Sequence, residues 1–136
     1  MFKLFLAISI SLFSSMLHAE FDAQKYFDKT CTVCHSIGNG DKIGPDLAGL
    51  SERRTLDWTV KFIQYPTGMI EGDEEEEGYE KADPIAKKVY DLYKPQMMAE
   101  HDLSEDQVKA ILKYIDSKGK KPQGKILKTI TPKKKK

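Results

Sequence analysis

Both cysteines of this 136-residue chain lie in one pentapeptide, Cys31-Thr32-Val33-Cys34-His35. Two thiols in total exclude a multi-bridge disulfide scaffold. Three histidines (His18, His35 and His101) confine any metal chemistry to one small site. The rest of the composition is unexceptional: 32% charged and 40% hydrophobic residues exclude a collagen-like, coiled-coil-only or multi-span membrane chain.

Residues 1–19 read as an export address. Met1-Phe2-Lys3 gives a short positive start, Leu4 to Leu17 is apolar apart from serines, and Leu17-His18-Ala19 ends the run on a small residue. The run is about 14 residues, short of the roughly 20 needed to cross a bilayer. A signal peptide cleaved after Ala19 is therefore expected, with an uncut anchor as the alternative. No cysteine stands at the cut, so a lipid anchor is not expected. The mature chain is then expected to begin at Glu20, outside the cytoplasm.

The net charge of +1 conceals two opposed segments. Setting aside the single lysine of residues 1–19 and the nine lysines of residues 118–136 leaves −9 over residues 20–117. The acids concentrate between Glu71 and Glu80. A nucleic-acid binder is expected to carry its positive charge on the folded face, so this distribution argues against that class. It points to electrostatic selection among other partners.

Helical signals dominate residues 20–118. Asp22 can cap a first helix that runs through Tyr26 and Phe27 towards Cys31. A glycine-punctuated loop follows from His35 to Gly49. Leu56 to Tyr65 reads as a second helix, with Trp58, Phe62 and Tyr65 on one face and Pro66 as its stop. Asp83-Pro84 starts a third helix lined by Ile85, Val89 and Leu92 and stopped by Pro95. Ser104 with Gln107 forms a capping box for a fourth, lined by Val108, Ile111, Leu112 and Ile115. Residues 71–83 read as an acidic, solvated insertion without the ligand spacing of a calcium loop. Residues 119–136 read as a basic, disordered tail. Four short helices make a thin core, so something else must fill the middle.

Cys-x-x-Cys-His is the attachment signature for a c-type haem (heme c). Thiols three residues apart at a helix end reach the two vinyl groups of one porphyrin, and the following histidine falls beneath the iron. Three other readings compete. A thioredoxin-like pair requires a βαβ setting, which the pattern lacks. A structural zinc would require Cys31, Cys34, His35 and His101 together. A plain Cys31–Cys34 disulfide is chemically possible in an oxidising compartment.

From about Asp22 to Lys118 the sequence resembles the single-haem, class I c-type cytochromes of bacteria. Phe27, four residues before Cys31, is similar to the family's first-helix aromatic, which packs near Tyr114. Gly44-Pro45-Asp46-Leu47 resembles the family's Gly-Pro-x-Leu loop, and this implies that the Pro45 carbonyl orients His35. Trp58 to Ile70 is similar to the family's Trp-x-x-x-Phe-Ile-x-x-Pro-x-x-x-Ile stretch, which implies that Trp58 lies near the haem propionates. Counting back from Leu103-Ser104 as the family does gives Met98 as the sixth ligand. The family's Met-Pro is Met-Ala in this chain, so Met97 stays an alternative, and His101 a third.

The resemblance implies an all-α fold wrapped around one covalent haem, and a periplasmic electron carrier that is not itself an enzyme. With His35 and Met98 on the iron, both axial positions are filled, which suits electron transfer rather than oxygen chemistry. The expected partners are a redox donor and acceptor that meet the exposed edge near Thr32, Val33, Ile43 and the Met98 loop, with the chain itself monomeric. The lysine tail is expected to be solvated, or else to clip onto the acidic loop 71–80, rest on an anionic membrane surface or contact an acidic redox enzyme. Alternatives are a dedicated haem subunit of an oxidoreductase, or a sensor or enzyme with a five-coordinate iron.

Overall fold

The structure, a computed structural model, describes residues 20–125. The expected signal peptide and the last residues of the tail lie outside that range. Every regular element among the described residues is helical. Asp22 caps helix α1 (Ala23–Tyr26) by accepting the Lys25 amide at 2.9 Å. The chain continues as a π-helical turn, Phe27–Cys31. Helix α2 (Leu50–Arg53) is one turn, α3 spans Leu56–Gln64, α4 Pro66–Glu71, α5 Pro84–Tyr93 and α6 Glu105–Ser117.

Three of the expected helices begin where their caps place them. Asp83 Oδ1 accepts the amides of Ile85 and Ala86 ahead of α5. Ser104 and Gln107 close a reciprocal capping box at the start of α6. Thr55 accepts the Trp58 amide at the start of α3. Pro66 differs from expectation. It ends α3 but also starts α4, because a proline at the first helical position gives up an amide that has no intrahelical acceptor anyway. Tyr65, at φ −144°, makes the break between the two helices.

The main core forms where the π-turn crosses α6. Phe27, Leu103, Val108, Ile111, Leu112 and Ile115 are buried together, and the Phe27 ring lies 5.5 Å from that of Tyr114. A second cluster joins α4 to α5 through Met69, Ile70 and Ala86. The acidic insertion is pinned at its ends while Glu74 to Glu77 stay exposed. The Tyr65 hydroxyl donates to Asp73 at 2.9 Å, Tyr79 packs edge-on against Tyr65, and the Asp83 amide donates to the Met69 carbonyl at 2.7 Å.

The tail departs from its expected disorder over its first residues. Lys120 to Lys125 lie along the loop 38–46, held by hydrogen bonds to Asn39, Gly38, Asp41 and Asp46. Local composition reads this segment as unstructured because its partners stand some 80 positions earlier in the chain. No helix among the described residues is long and apolar enough to cross a membrane.

Candidate haem-binding site

The π-turn delivers Cys31, and the chain then tightens. The amides of Cys34 and His35 both donate to the Cys31 carbonyl, at 3.2 and 2.9 Å. This turn holds two free thiols and an imidazole within five residues. The returning loop folds over it, with the Gly44 amide on the Cys34 carbonyl at 2.8 Å and the Leu47 amide on the Ser36 carbonyl at 2.9 Å. Gly44 lies so near the imidazole that a Cβ there would stand 2.6 Å from His35 Cε1. Only glycine allows that approach.

His35 Nδ1 lies 2.8 Å from the Pro45 carbonyl. A carbonyl only accepts, so Nδ1 carries the proton and Nε2 keeps its lone pair. Burial lowers the basicity of His35; the Pro45 hydrogen bond opposes it, and His101 and Lys42 add to the lowering. The ring is therefore held neutral, the form that binds metals. Burial, then the neighbouring Cys34, pushes the Cys31 thiol up to about 11. A neutral thioether suits that apolar position better than a thiolate does.

These groups line a cavity of about 370 Å³ enclosed by the Cys31–His35 turn, the loop at Gly44-Pro45, α3, the end of α5 and the core face of α6. Its size falls in the range of small-molecule and cofactor sites. Among the described residues no group of three or more His, Cys, Asp and Glu side chains could hold a bare metal ion. That tells against structural zinc. A largely apolar cavity with two thiols and one oriented imidazole at its wall fits a haem.

Met97 and Met98 both line the cavity and are both half-buried. Met97 also packs against the Met69–Ile70–Ala86 cluster. The loop carrying them is tied to α3 by the His101 amide on the Ile63 carbonyl at 3.0 Å and by Gln64 Nε2 on the Leu103 carbonyl at 2.8 Å. His101 is half-buried rather than solvated, with Nδ1 3.1 Å from the Tyr26 hydroxyl. Trp58 lines the cavity and stacks on Phe62, but its indole N–H donates to Asp83 at 3.1 Å, so that proton is already committed.

Arg53 and Arg54 reach the same cavity, and the motif reading passed over them. They are the chain's only two arginines among twenty lysines, which was the available signal. Arg53 donates to the Ala48 carbonyl at 2.5 Å and the Asp46 carbonyl at 3.1 Å. Arg54 lies over the Trp58 ring, 5.0 Å from its centroid. Two half-buried guanidinium groups beside an apolar cavity are suited to carboxylates at one edge of its occupant.

A family model described as cytochrome c matches residues 22–118. Among solved structures, cytochrome c from Rhodothermus marinus is similar at 29% identity with a TM-score of 0.56, covering 70% of this chain and 72% of that one. An engineered form of that cytochrome, bound to a carbene intermediate, gives 28% identity and a TM-score of 0.53, covering 70% and 71%. The cytochrome c domain of a Pseudomonas putida protein shares the fold, at 24% identity and a TM-score of 0.51, covering 71% and 87%. A comparison with curated proteins finds no match.

Proposed function

We propose that this chain, which belongs to the cytochrome c family, is an exported single-electron carrier whose haem is ligated by His35 and Met98. Haem c held by Cys31 and Cys34 is its cofactor, and haem-based electron transfer is the family's activity. The observation that carries the finer reading is His35. Its Nδ1–H is fixed on Pro45 at 2.8 Å, and its other nitrogen is left as a ligand beside two free thiols.

When bound, the haem supplies a one-electron iron couple that no side chain offers. The protein's part is to hold and tune it. Cys31 and Cys34 tether it covalently. The carbonyl of Pro45 fixes the tautomer of His35 and raises its basicity. Met98 is favoured over Met97 because Met97 is engaged by the α4–α5 cluster. A thioether ligand favours the reduced state and closes the iron to small molecules. Arg53 and Arg54, half-buried at the cavity wall, would offset the negative charge of the haem's carboxylates. Val33 and Ile43 are 64% and 48% exposed beside the attachment turn, giving an apolar edge on which donor and acceptor can dock in succession.

The test is an optical spectrum of protein made in a host that attaches haem, oxidised and then reduced. A sharp reduced α-band together with a weak methionine-to-iron band at the red end of the oxidised spectrum supports the proposal. A haem spectrum without that band removes Met98 as ligand. Replacing Cys31 and Cys34 with alanine should give colourless protein, and retained covalent haem would refute the attachment.

A further inference from the structure

The C-terminal segment Lys120–Lys125 lies against the loop that carries Pro45, and two aspartates join them. Asp46 is fully buried. Its Oδ1 accepts the amides of Gly38 at 2.7 Å and Ala48 at 2.9 Å, while Oδ2 accepts those of Gly40 at 2.9 Å and Gln123 at 3.2 Å. Asp41 repeats the arrangement. Its Oδ1 accepts the Asp46 amide at 3.2 Å and its Oδ2 the Lys125 amide at 2.9 Å. Gln123 Nε2 completes the contact by donating to the Gly38 carbonyl at 2.9 Å. Gly38 has φ +74°, and any Cβ there would collide with the Lys120 side chain. The two segments are therefore built for close contact.

We infer that Asp46 and Lys120–Lys125 form a latch that holds the Pro45 carbonyl on His35. Asp46 is adjacent to Pro45, so the carboxylate that binds the tail also fixes the residue next to the accepting carbonyl. The Gln123 amide is a neutral donor to the fully buried Asp46 carboxylate, and such a bond exceeds the usual net contribution of a hydrogen bond, whereas the Lys125–Asp41 bond is exposed and adds less. Asp46 and Gln123 are positioning residues that act on the iron only through Pro45 and His35. The lysines beyond residue 125 are not needed for this. The inference rests on His35 being the proximal ligand, and the experiment separates the two claims.

The holoprotein is compared as the full chain, a chain ending at Lys125, a chain ending at Gly119, and the variants Gln123→Pro and Asp46→Asn. Helix α6 ends at Ser117, so the shorter chains keep every helix. Gln123→Pro removes both Gln123 donors at constant length, which keeps the test usable if a truncated chain folds poorly. The readouts are hydrogen exchange of the His35 Nδ1 proton in the reduced protein and the reduction potential. Loss of the latch should speed that exchange about tenfold. It should also raise the potential, since a less basic imidazole stabilises ferric iron less. Ending at Gly119, Gln123→Pro and Asp46→Asn should agree, and ending at Lys125 should match the full chain. Unchanged exchange and potential at Gly119 and in Gln123→Pro overturn the latch while leaving the ligand assignment intact. A change already present on ending at Lys125 would assign the effect to charge and also overturn it. A full chain without a c-haem spectrum would refute the ligand reading itself, and the latch with it.

Discussion

Gly44→Ala is the substitution that asks most directly whether the proximal loop rests on the imidazole. The new methyl carbon would stand 2.6 Å from His35 Cε1 and 3.0 Å from Nδ1, against about 3.5–4.0 Å for a relaxed carbon contact. The ring has little room to retreat. Its backbone amide is bonded to the Cys31 carbonyl at 2.9 Å, its Nδ1 to the Pro45 carbonyl at 2.8 Å, and the carbonyl of its neighbour Cys34 to the Gly44 amide at 2.8 Å. The loop must move instead, lengthening the bond to Pro45. Overpacking of this kind costs about 1–3 kcal/mol, and a loosened hydrogen bond adds about 1 kcal/mol. With a guanidinium slope of about 4 kcal/mol/M, the unfolding midpoint should fall by roughly 0.5–1 M. Gly119→Ala is the control: nothing lies within 4 Å of its Cβ and its φ is +57°, so only the left-handed backbone penalty of about 1–2 kcal/mol applies. The assay is guanidinium unfolding followed at the haem absorbance, with the reduction potential measured in parallel. Gly44→Ala should move both, and Gly119→Ala the midpoint alone. A Gly44→Ala protein with the parent's midpoint and potential would refute the contact between loop and ring.

Met98→Ala should abolish the methionine-to-iron band and lower the reduction potential, while Met97→Ala keeps the band; the reverse pattern, read by optical spectroscopy, would move the ligand to Met97. Phe27→Ala removes a ring that is 2% exposed at the crossing with α6, and should cost about 3–5 kcal/mol. For a domain near 100 residues that lowers the melting temperature by at least about 12 °C, and calorimetry showing a shift of only a few degrees would mean that this core is not what holds the two helices together.

What the sequence made legible was local chemistry. The Ser104–Gln107 capping box, Asp83-Pro84 and the Cys31–His35 pentapeptide each act within a few residues, and each element begins or turns where they lie. The Gly44-Pro45 loop was readable only through resemblance, since nothing local says that a carbonyl ten positions on will find His35. Pro66 shows the limit of punctuation, because one residue can stop a helix and start another. The first residues of the tail, up to Lys125, departed from expectation for a different reason. Lysine, glycine and proline give no hydrophobic signal, and the bonds that hold residues 120–125 are to Gly38, Asn39, Asp41 and Asp46, whose positions become relevant only once the loop has formed. Arg53 and Arg54 escaped notice because their role follows from the cavity, which does not exist until the chain has folded.

The contact between Asp28 and Tyr114 spans 86 positions, and it marks the seam where the core closes. The residues that bury Phe27, from Leu103 to Ile115, all lie beyond the acidic insertion. Loop closure over that separation comes late, because its entropy must be met before the contacts repay it. Without α6, the turn bearing Cys31 and Cys34 lacks the apolar wall formed by Val108, Ile111, Leu112 and Ile115. Once α6 docks, the same thiols face an enclosed cavity. The last helix is thus the closing wall of the cavity on which both thiols stand, and the site is complete only when the two ends of the fold have met.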